Sequence, residues 1–356
     1  MWTKTKFTEL LGIEYPIIQG PFGGRLSSVE LASTVSNLGG MGSFGAQPLS
    51  AEEILQTTHA LRKATDKPYA INLWVNDRDE RLKTYEQADY EKLKELFEPY
   101  FKEFNVPLPP MPVNFGAAFS EQVSAVLEAK PPVFSFIFGI PSGDILEEFR
   151  RKNIKTIGTA TTVDEAIALD KAGVNAIVAT GFEAGGHRAS FLRSAEDSLT
   201  GVFALVPQVA DHVSVPVIAA GGIADGRGIR AALTLGAHAV QIGTAFLATE
   251  QSAATPEHKQ KLFSPEAKYT TLTKIFSGRL ARGIRSRLTD EIRGKDHLLA
   301  PYPMQSHFLS ALRSAIQKSH HDEYITFWSG QSASLLKYND ATQLFNALVS
   351  QANAIG

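Results

Sequence analysis

Eight short apolar runs recur along the chain, and most of them end in glycine or a small polar residue. They lie at residues 15–20, 40–45, 69–74, 133–139, 155–159, 176–181, 217–222 and 239–244. Their apolarity is continuous rather than alternating, which is typical of strands that are covered on both faces. The chain is therefore predicted to build its core around a parallel β-sheet.

Helix-like segments separate most of these runs. In residues 162–173, Thr162 is a candidate N-cap, Glu165 stands three residues later, and Gly173 is a candidate stop signal. Residues 228–236 form a second such segment. Eight strands that alternate with helices predict an α/β fold of the (β/α)8 or TIM barrel type. A doubly wound open sheet is the alternative, because the number of strands does not separate the two.

Two stretches interrupt the alternation, and neither resembles a flexible linker between domains. Residues 75–131 are charged and then proline-rich, which predicts a helical insertion after the third strand and an extended loop. Residues 255–356 follow the eighth strand and are predicted to form a mainly helical C-terminal extension. We therefore expect residues 1–356 to form a single barrel domain.

The composition excludes several classes of function. The 356 residues carry a net charge of −2, so no overall field favours nucleic acid or an acidic membrane. Because the chain has no cysteine, thiolate catalysis and cysteine-ligated metals are excluded. The first residues lack the apolar stretch of a signal peptide and no run is long enough to span a membrane, so a cytoplasmic protein is expected. Formation of a homo-oligomer is left open.

In (β/α)8 barrels the active site lies at the carboxyl ends of the strands. Those ends carry glycine and uncharged polar residues, among them Gln19, Ser43, Asn72, Thr159 and Thr180. Such a rim suits a neutral cofactor ring that is bound through hydrogen bonds. No metal is expected, because metal sites need clustered carboxylates or histidines and no such cluster is evident.

The seventh and eighth runs end in glycine-rich loops, where this fold commonly binds phosphate. Gly221 and Gly222 follow the seventh run, and Gly243 follows the eighth. Glycine lets backbone N–H groups approach phosphate oxygens without an intervening side chain. Tight turning would explain either loop alone, but the two together favour a phosphate site. Residues 226–231 match G-x-G-x-x-A, yet they lie beyond the strand-to-helix turn, so a dinucleotide fingerprint is rejected.

The loop after the sixth run reads GFEAGGHRAS and contains His187 at the predicted catalytic edge. A catalytic base, a phosphate contact and a packing residue are all open for this histidine. Glu183 is expected to accept backbone N–H groups, and Arg188 to be structural or ion-paired. The remaining histidines lie in helix-like or charged segments and are expected to be solvated. They are His59, His212, His238, His258, His297, His307, His320 and His321.

Residues 276–285 are basic and punctuated by glycine. The chain is nearly neutral and this stretch lacks interleaved aromatic residues, which argues against a nucleic-acid patch. An active-site loop beside a bound anion is the favoured interpretation.

Several longer segments can be quoted in chain order: IEYPIIQGPFGG (13–24), INLW (71–74), IGTATTVDEA (157–166), GFEAGGHRASF (181–191), VPVIAAGGIADGRG (215–228), VQIGTAFLAT (240–249), FSGRLARGIRSR (276–287) and FWSGQSASL (327–335). Together they resemble the nitronate monooxygenase family, formerly called 2-nitropropane dioxygenases, whose members are FMN-dependent barrels. The resemblance covers nearly the whole chain, and the segments with EAGGH, AAGGI and QIGTAFL are its most specific parts.

The resemblance implies a set of site residues. His187 is the implied catalytic residue, Asn72 contacts the flavin ring, and Gly185 lies beside it. Gln19 and Thr180 complete the cofactor contacts at strand ends. The FMN phosphate and ribityl chain are assigned to Gly221, Gly222, Gln241, Ile242, Gly243 and Thr244. The sequence departs from relatives at Thr180, where glutamine is frequent, and at Ile137, where some relatives place histidine or threonine.

The resemblance further implies that an alkyl nitronate, such as propionate 3-nitronate, is oxidised with O2 to a carbonyl compound and nitrite. FMN would carry the redox step. His187 would either meet the nitronate oxygens or deprotonate a neutral nitroalkane. Two alternatives remain: a related FMN barrel reductase that acts on an enoyl-acyl carrier protein or on quinone with NADH, and a non-catalytic phosphate-binding barrel.

Overall fold

The computed structural model describes residues 1–76 and 78–355. Its strands, numbered along the chain, are β1 Ile17–Gln19, β2 Gly42–Gly45, β3 Tyr69–Trp74, β4 Val133–Ile137, β5 Lys155–Ala160, β6 Ala176–Thr180, β7 Gly186–His187, β8 Val217–Ala220, β9 Ala239–Ile242, β10 Thr270–Thr273 and β11 Ala281–Ile284. Each of the eight predicted apolar runs contains a strand, and these eight strands belong to the same sheet.

The eight-stranded sheet closes on itself. Its strands are parallel in the order β1-β9-β8-β6-β5-β4-β3-β2. A parallel bridge between Ile18 and Met41 joins the two ends. The Met41 amide donates to the Ile17 carbonyl at 3.0 Å, and the Gln19 amide donates to the Met41 carbonyl at 3.0 Å. The predicted (β/α)8 barrel is confirmed, and closure excludes the doubly wound open sheet.

The α-helices are likewise numbered along the chain. They are α1 Lys6–Leu11, α2 Val29–Asn37, α3 Ala51–Ala64, α4 Gln87–Glu103, α5 Phe119–Ala129, α6 Gly143–Arg151, α7 Val163–Lys171, α8 Val202–His212, α9 Gly226–Thr234, α10 Thr244–Leu247, α11 Pro256–Leu262, α12 Arg287–Glu291, α13 Met304–Phe308, α14 Ser310–Ser319 and α15 Ala341–Ala354. Within the described residues, none of these helices is long and apolar enough to cross a membrane.

Capping residues explain where the helices around the barrel begin and end. Thr162 caps α7 by accepting the Glu165 amide at 3.2 Å, and Gly173 follows the helix with a positive φ of 80°. Asp340 caps α15 in the same way, by accepting the Gln343 amide at 2.8 Å. These caps satisfy amide groups that have no partner inside the helix, so each helix starts at a defined residue.

The last helix, α15, belongs to the barrel rather than to an appendage. It packs on α9 and α2 and buries Leu344, Phe345 and Leu348, so it occupies the eighth position of the outer helix ring. The predicted C-terminal extension is therefore a second insertion, between β9 and α15, followed by the closing helix. In the same way α5, at the end of the predicted first insertion, packs on α3 and belongs to the ring.

The two insertions meet above the carboxyl ends of the strands. The Tyr100 hydroxyl donates to the Glu291 carboxylate at 2.7 Å, and the Tyr324 hydroxyl donates to the Glu103 carboxylate at 3.0 Å. Phe308 of the second insertion packs against aromatic rings of α4 in the first insertion. The two insertions together form a roof over this end of the barrel. The antiparallel sheet β10-β11-β7, which was not predicted, ties the second insertion to the loop after β6.

Candidate active site

A cavity of about 380 Å³ opens at the carboxyl ends of the barrel strands, beneath the two insertions. Its wall combines strand ends, the loop after β6 and residues of the second insertion. Most of the residues predicted for the site line it: Asn72, Ile137, Thr180, Gly185, His187, Gly221, Gly222, Gln241, Gly243, Thr244 and Ser277. Residues that are far apart in the sequence thus meet at the end of the barrel where the chemistry was expected.

Two predicted cofactor residues, Gln19 and Ile242, are not part of this wall. The Gln19 side chain is buried and uses its amide in the backbone, donating to the Gly20 carbonyl and accepting the Ser43 amide at 3.0 Å. Ile242 is fully buried, and its carbonyl accepts the Gly20 amide at 2.9 Å. Both side chains are buried behind the cavity wall, and their assignment as cofactor contacts stays a prediction.

The loops after β8 and β9 present unused backbone donors. Among the described residues, the amide groups of Gly221, Gly222, Gly243 and Thr244 donate to no protein acceptor. Gly221 and Gly222 have φ values of 112° and 69°, a region that glycine adopts without steric cost. Converging free N–H groups of this kind form a concavity that suits an anion.

The start of α9 has no such free donors. Asp225 accepts the amides of Arg227 at 3.0 Å and Gly228 at 3.3 Å. A carboxylate thus occupies the helix N-terminus where a phosphate would otherwise bind. This arrangement agrees with the rejection of residues 226–231 as a dinucleotide fingerprint.

His187 lies in β7, and its imidazole forms part of the cavity wall. Its Nε2 atom is 2.8 Å from the Ser277 hydroxyl oxygen. The ring also contacts two indoles, those of Trp74 at 5.0 Å and Trp328 at 5.4 Å between ring centroids. Because β7 pairs with β11, the backbone at His187 is fixed opposite Ala281.

The surroundings of His187 keep its imidazole neutral. Burial disfavours the charged form and, together with the nearby Arg279 guanidinium, lowers the pKa of His187 from 6.5 to about 3. At neutral pH this side chain can therefore accept a proton or a hydrogen bond, but it is not a cation.

Arg279, in the second insertion, forms an ion pair with the first insertion beside His187. Its guanidinium pairs with Asp79 at 2.7 Å, and the other Asp79 oxygen accepts the Tyr302 amide at 3.0 Å. The rings of Phe138 and Tyr302 lie 4.3 and 4.5 Å from the guanidinium carbon. Such contacts with aromatic faces stabilise a buried cation. The pair therefore positions the roof above His187 while Arg279 itself stays out of the cavity wall.

The charged residues beside His187 have structural roles, as predicted. Glu183 accepts the Val202 amide at 2.9 Å and caps α8. Arg188 is almost fully buried and donates to the carbonyls of Gly181 at 2.6 Å and Thr180 at 2.9 Å. Burial lowers the pKa of Arg188 to about 10, which leaves the guanidinium charged at neutral pH. These bonds hold the loop after β6 in the shape that presents His187.

The profile of the nitronate monooxygenase family matches residues 4–351. This chain belongs to that family. A protein named probable nitronate monooxygenase from Staphylococcus haemolyticus is 39% identical over 357 aligned residues, which cover 100% of this chain and 99% of the relative. Nitronate monooxygenase family members are flavoenzymes, and the present protein is an oxidoreductase.

Two solved structures extend the nitronate monooxygenase comparison to three dimensions. Nitroalkane oxidase from Streptomyces ansochromogenes aligns with a TM-score of 0.89 at 32% identity, over 98% of both chains. FabK from Thermotoga maritima aligns with a TM-score of 0.75 at 27% identity, over 99% of this chain and 96% of that chain.

Sequence reasoning missed several residues of the cavity wall in this family member. Trp74 and Trp328 flank His187, while Gln47 donates to the Tyr302 hydroxyl at 2.6 Å. Trp74 and Trp328 lie within segments that carried the family resemblance, but no pattern in those segments indicates contact with His187. Arg313 also lines the cavity, although it was not singled out within the second insertion.

Two histidine predictions were wrong. His238 is half-buried rather than solvated, and its Nδ1 atom accepts the Val217 amide at 3.2 Å. His258 is buried rather than solvated, with 5% of its surface exposed, and its Nε2 atom is 3.0 Å from the Trp328 carbonyl. Burial lowers the pKa of His258, so this side chain is a neutral structural partner of the segment that flanks His187. In the described part of the chain, no three histidine or carboxylate side chains are grouped to hold a metal.

Proposed function

We propose that this protein is an FMN-dependent enzyme that oxidises alkyl nitronates, such as propionate 3-nitronate, with O2. The products are a carbonyl compound and nitrite. One observation carries the proposal: a neutral histidine and four free backbone amides open into the same cavity. The named activities of the similar nitronate monooxygenase and nitroalkane oxidase support the same substrate class.

The cavity wall fits FMN on physical grounds. The amides of Gly221, Gly222, Gly243 and Thr244 would hold the phosphate, since hydrogen bonds from backbone N–H groups to phosphate oxygens are favourable at such loops. A Cβ built at Gly243 would meet only Phe22, at 4.0 Å, so the space in front of this amide is open. Among the described lining residues no carboxylate is present, and nothing there repels an anion.

The other wall residues suit the flavin ring. Asn72 of β3 and Thr180 of β6 both line the cavity, and the Asn72 amide is oriented by a 3.0 Å bond to the Ser135 hydroxyl. Gly185 lies so close to the Gly330 amide that an added Cβ would approach it to 2.6 Å. A side chain there would displace the segment around Trp328, so the site needs glycine at this position.

When bound, FMN supplies the electron acceptor, and the protein residues orient and protect the substrate. Trp74, Trp328 and Tyr302 wall off the substrate side of the cavity with apolar surface that excludes water. His187 faces this space as a neutral base that takes the α-proton of a neutral nitroalkane. A preformed nitronate needs no such transfer. Because the pKa of His187 is so far below 7, we expect preformed nitronates to react faster than neutral nitroalkanes.

The test begins with the purified protein and its visible spectrum. We expect a yellow protein that releases FMN on acid precipitation and loses its flavin absorbance when a nitronate is added without oxygen. With oxygen present, nitrite should accumulate with turnover. A colourless protein would support a non-catalytic phosphate-binding barrel, and rapid NADH oxidation would support a reductase. A cytoplasmic location is part of the same proposal, and the oligomeric state is left open.

A further inference from the structure

Ser277 stands apart from the other polar groups of the cavity because its hydroxyl has three neighbours. The Ser277 oxygen is 2.8 Å from His187 Nε2, donates to the Arg279 carbonyl at 3.1 Å, and accepts the Arg279 amide at 3.3 Å. Its surface is only 5% exposed. No role for this residue follows from the proposed oxidation itself.

The hydrogen-bond donors and acceptors around Ser277 define which nitrogen of the His187 imidazole carries the proton. A serine hydroxyl has one proton to donate, and the Arg279 carbonyl is an acceptor only. When the hydroxyl proton goes to that carbonyl, His187 Nε2 must carry a proton and donate it to Ser277. The Nδ1 atom then keeps its lone pair. Among the described residues Nδ1 has no protein partner, and it is not enclosed, so it is open to the cavity.

We propose that Ser277 is a positioning residue that holds His187 as the Nε2–H tautomer and so directs the Nδ1 lone pair into the cavity. The catalytic part of this inference rests on the proposed function. There the Nδ1 lone pair forms a bond to the α-proton of a neutral nitroalkane. The electron pair of the broken C–H bond remains on the substrate and makes it a nitronate.

The turn that carries Ser277 is held in place by its neighbours, so the hydroxyl can orient the His187 imidazole. The Ser277 amide donates to the Lys274 carbonyl at 3.2 Å. Gly278, the next residue, has a φ of 90°, and a Cβ there would approach the Ala300 carbonyl oxygen to 2.5 Å. The turn is thus packed against its neighbours without room to shift. The hydroxyl therefore has a fixed position against which the imidazole is aligned.

Nitrogen NMR of the holoenzyme labelled with 15N-histidine tests the tautomer directly. His258 is an internal reference, since its Nε2 faces a carbonyl, which can only accept, and must therefore be protonated when neutral. We expect His187 to show the same pattern as His258 at neutral pH, with a protonated Nε2 and an unprotonated Nδ1. A His187 with a protonated Nδ1 would overturn the proposal, whatever the activity of the enzyme.

The variant Ser277→Ala tests the consequence, with Ser252→Ala as a matched control. The Ser252 hydroxyl also donates to a carbonyl, that of Leu247 at 2.7 Å, and accepts an amide two residues later, but it lies outside the cavity wall. In Ser277→Ala the His187 signals should shift towards a mixture of tautomers, while those of His258 stay unchanged. Ser252→Ala should leave both histidines as they are.

Kinetics of the same variants separate positioning from general damage. Turnover of a neutral nitroalkane should fall about 5- to 10-fold in Ser277→Ala, as expected from the loss of one hydrogen bond. Turnover of the preformed nitronate should fall less than that of the neutral nitroalkane, because a nitronate needs no proton transfer to His187. An equal fall for both substrates, or none, would contradict the positioning role. If the wild type turns over neither substrate, the proposed function fails, while the tautomer measurement still decides the state of His187.

Discussion

The half-buried, neutral His187 makes the stability of this protein depend on pH in a way that one substitution should remove. The pKa of His187 is about 3 in the folded chain, against 6.5 for an unperturbed histidine. Between these values the unfolded chain binds a proton that the folded chain does not. Stability should therefore fall as the pH is lowered from 6.5 towards 3, and it should be fully present above 6.5. The variant His187→Asn keeps a polar side chain but cannot titrate.

The size of the effect follows from the shift in pKa. Each pH unit inside this window changes the free energy of unfolding by at most about 1.4 kcal/mol. Lowering the pH from 7 to 5 should destabilise the wild type by about 2 kcal/mol more than His187→Asn. Other titrating groups affect both proteins alike, so the difference between the two reports on His187.

Urea unfolding curves measured at several pH values, with FMN in the same excess, give this difference. His59→Asn is the control, because it makes the same substitution at an exposed position on α3 that is outside the cavity wall. Parallel loss of stability in the wild type and His187→Asn between pH 7 and 5 would refute the argument that His187 is held in its neutral form.

Further predictions concern the cofactor, the reaction and the roof. Gly222→Asp should lower FMN affinity more than 10-fold in an equilibrium titration, because a carboxylate would meet the phosphate, whereas Gly222→Ala should keep FMN despite backbone strain of about 1 kcal/mol. His187→Asn should reduce turnover of neutral nitroalkanes by about 10²–10⁴-fold and that of preformed nitronates much less; equal losses would exclude the base. Asp79→Asn should destabilise the fold by about 1–3 kcal/mol, because Arg279 loses its charged partner. Asp290→Asn removes the partner of two exposed arginines, Arg285 and Arg293, and should cost less than about 1 kcal/mol in the same unfolding assay.

The sequence predicts a parallel sheet of eight strands and the edge at which its site lies, whereas closure into a barrel rests on the contact between β1 and Met41 in the structure. Continuous apolar runs require cover on both faces, and a closed parallel sheet with an outer helix ring provides it. Local turn chemistry placed the ends of the runs, so Asn72, Thr180, Gly221 and Gly243 could be assigned to one rim. These features depend on neighbours in the chain, and for that reason a pattern of residues reveals them.

The construction of the roof above the cavity depends on contacts between segments that are distant in the sequence. The region after β9 looks like an appendage in the sequence, yet α15 returns to close the helix ring and makes residues 243–340, between β9 and α15, an insertion. The bond from Asp79 to Arg279 spans 200 positions, and no local pattern encodes such a pair. It depends on two loops that converge only after the barrel has closed.

The state of His187 was likewise beyond the reach of the sequence. The GFEAGGHRAS segment indicated which histidine matters, but its residues alone left a catalytic base, a phosphate contact and a packing residue open. The pKa of His187 depends on how much water the surroundings remove and on the distance to Arg279, and its tautomer depends on Ser277, 90 positions away. Desolvation and long-range contacts are properties of the folded molecule, because they arise only when distant segments share one dry cavity.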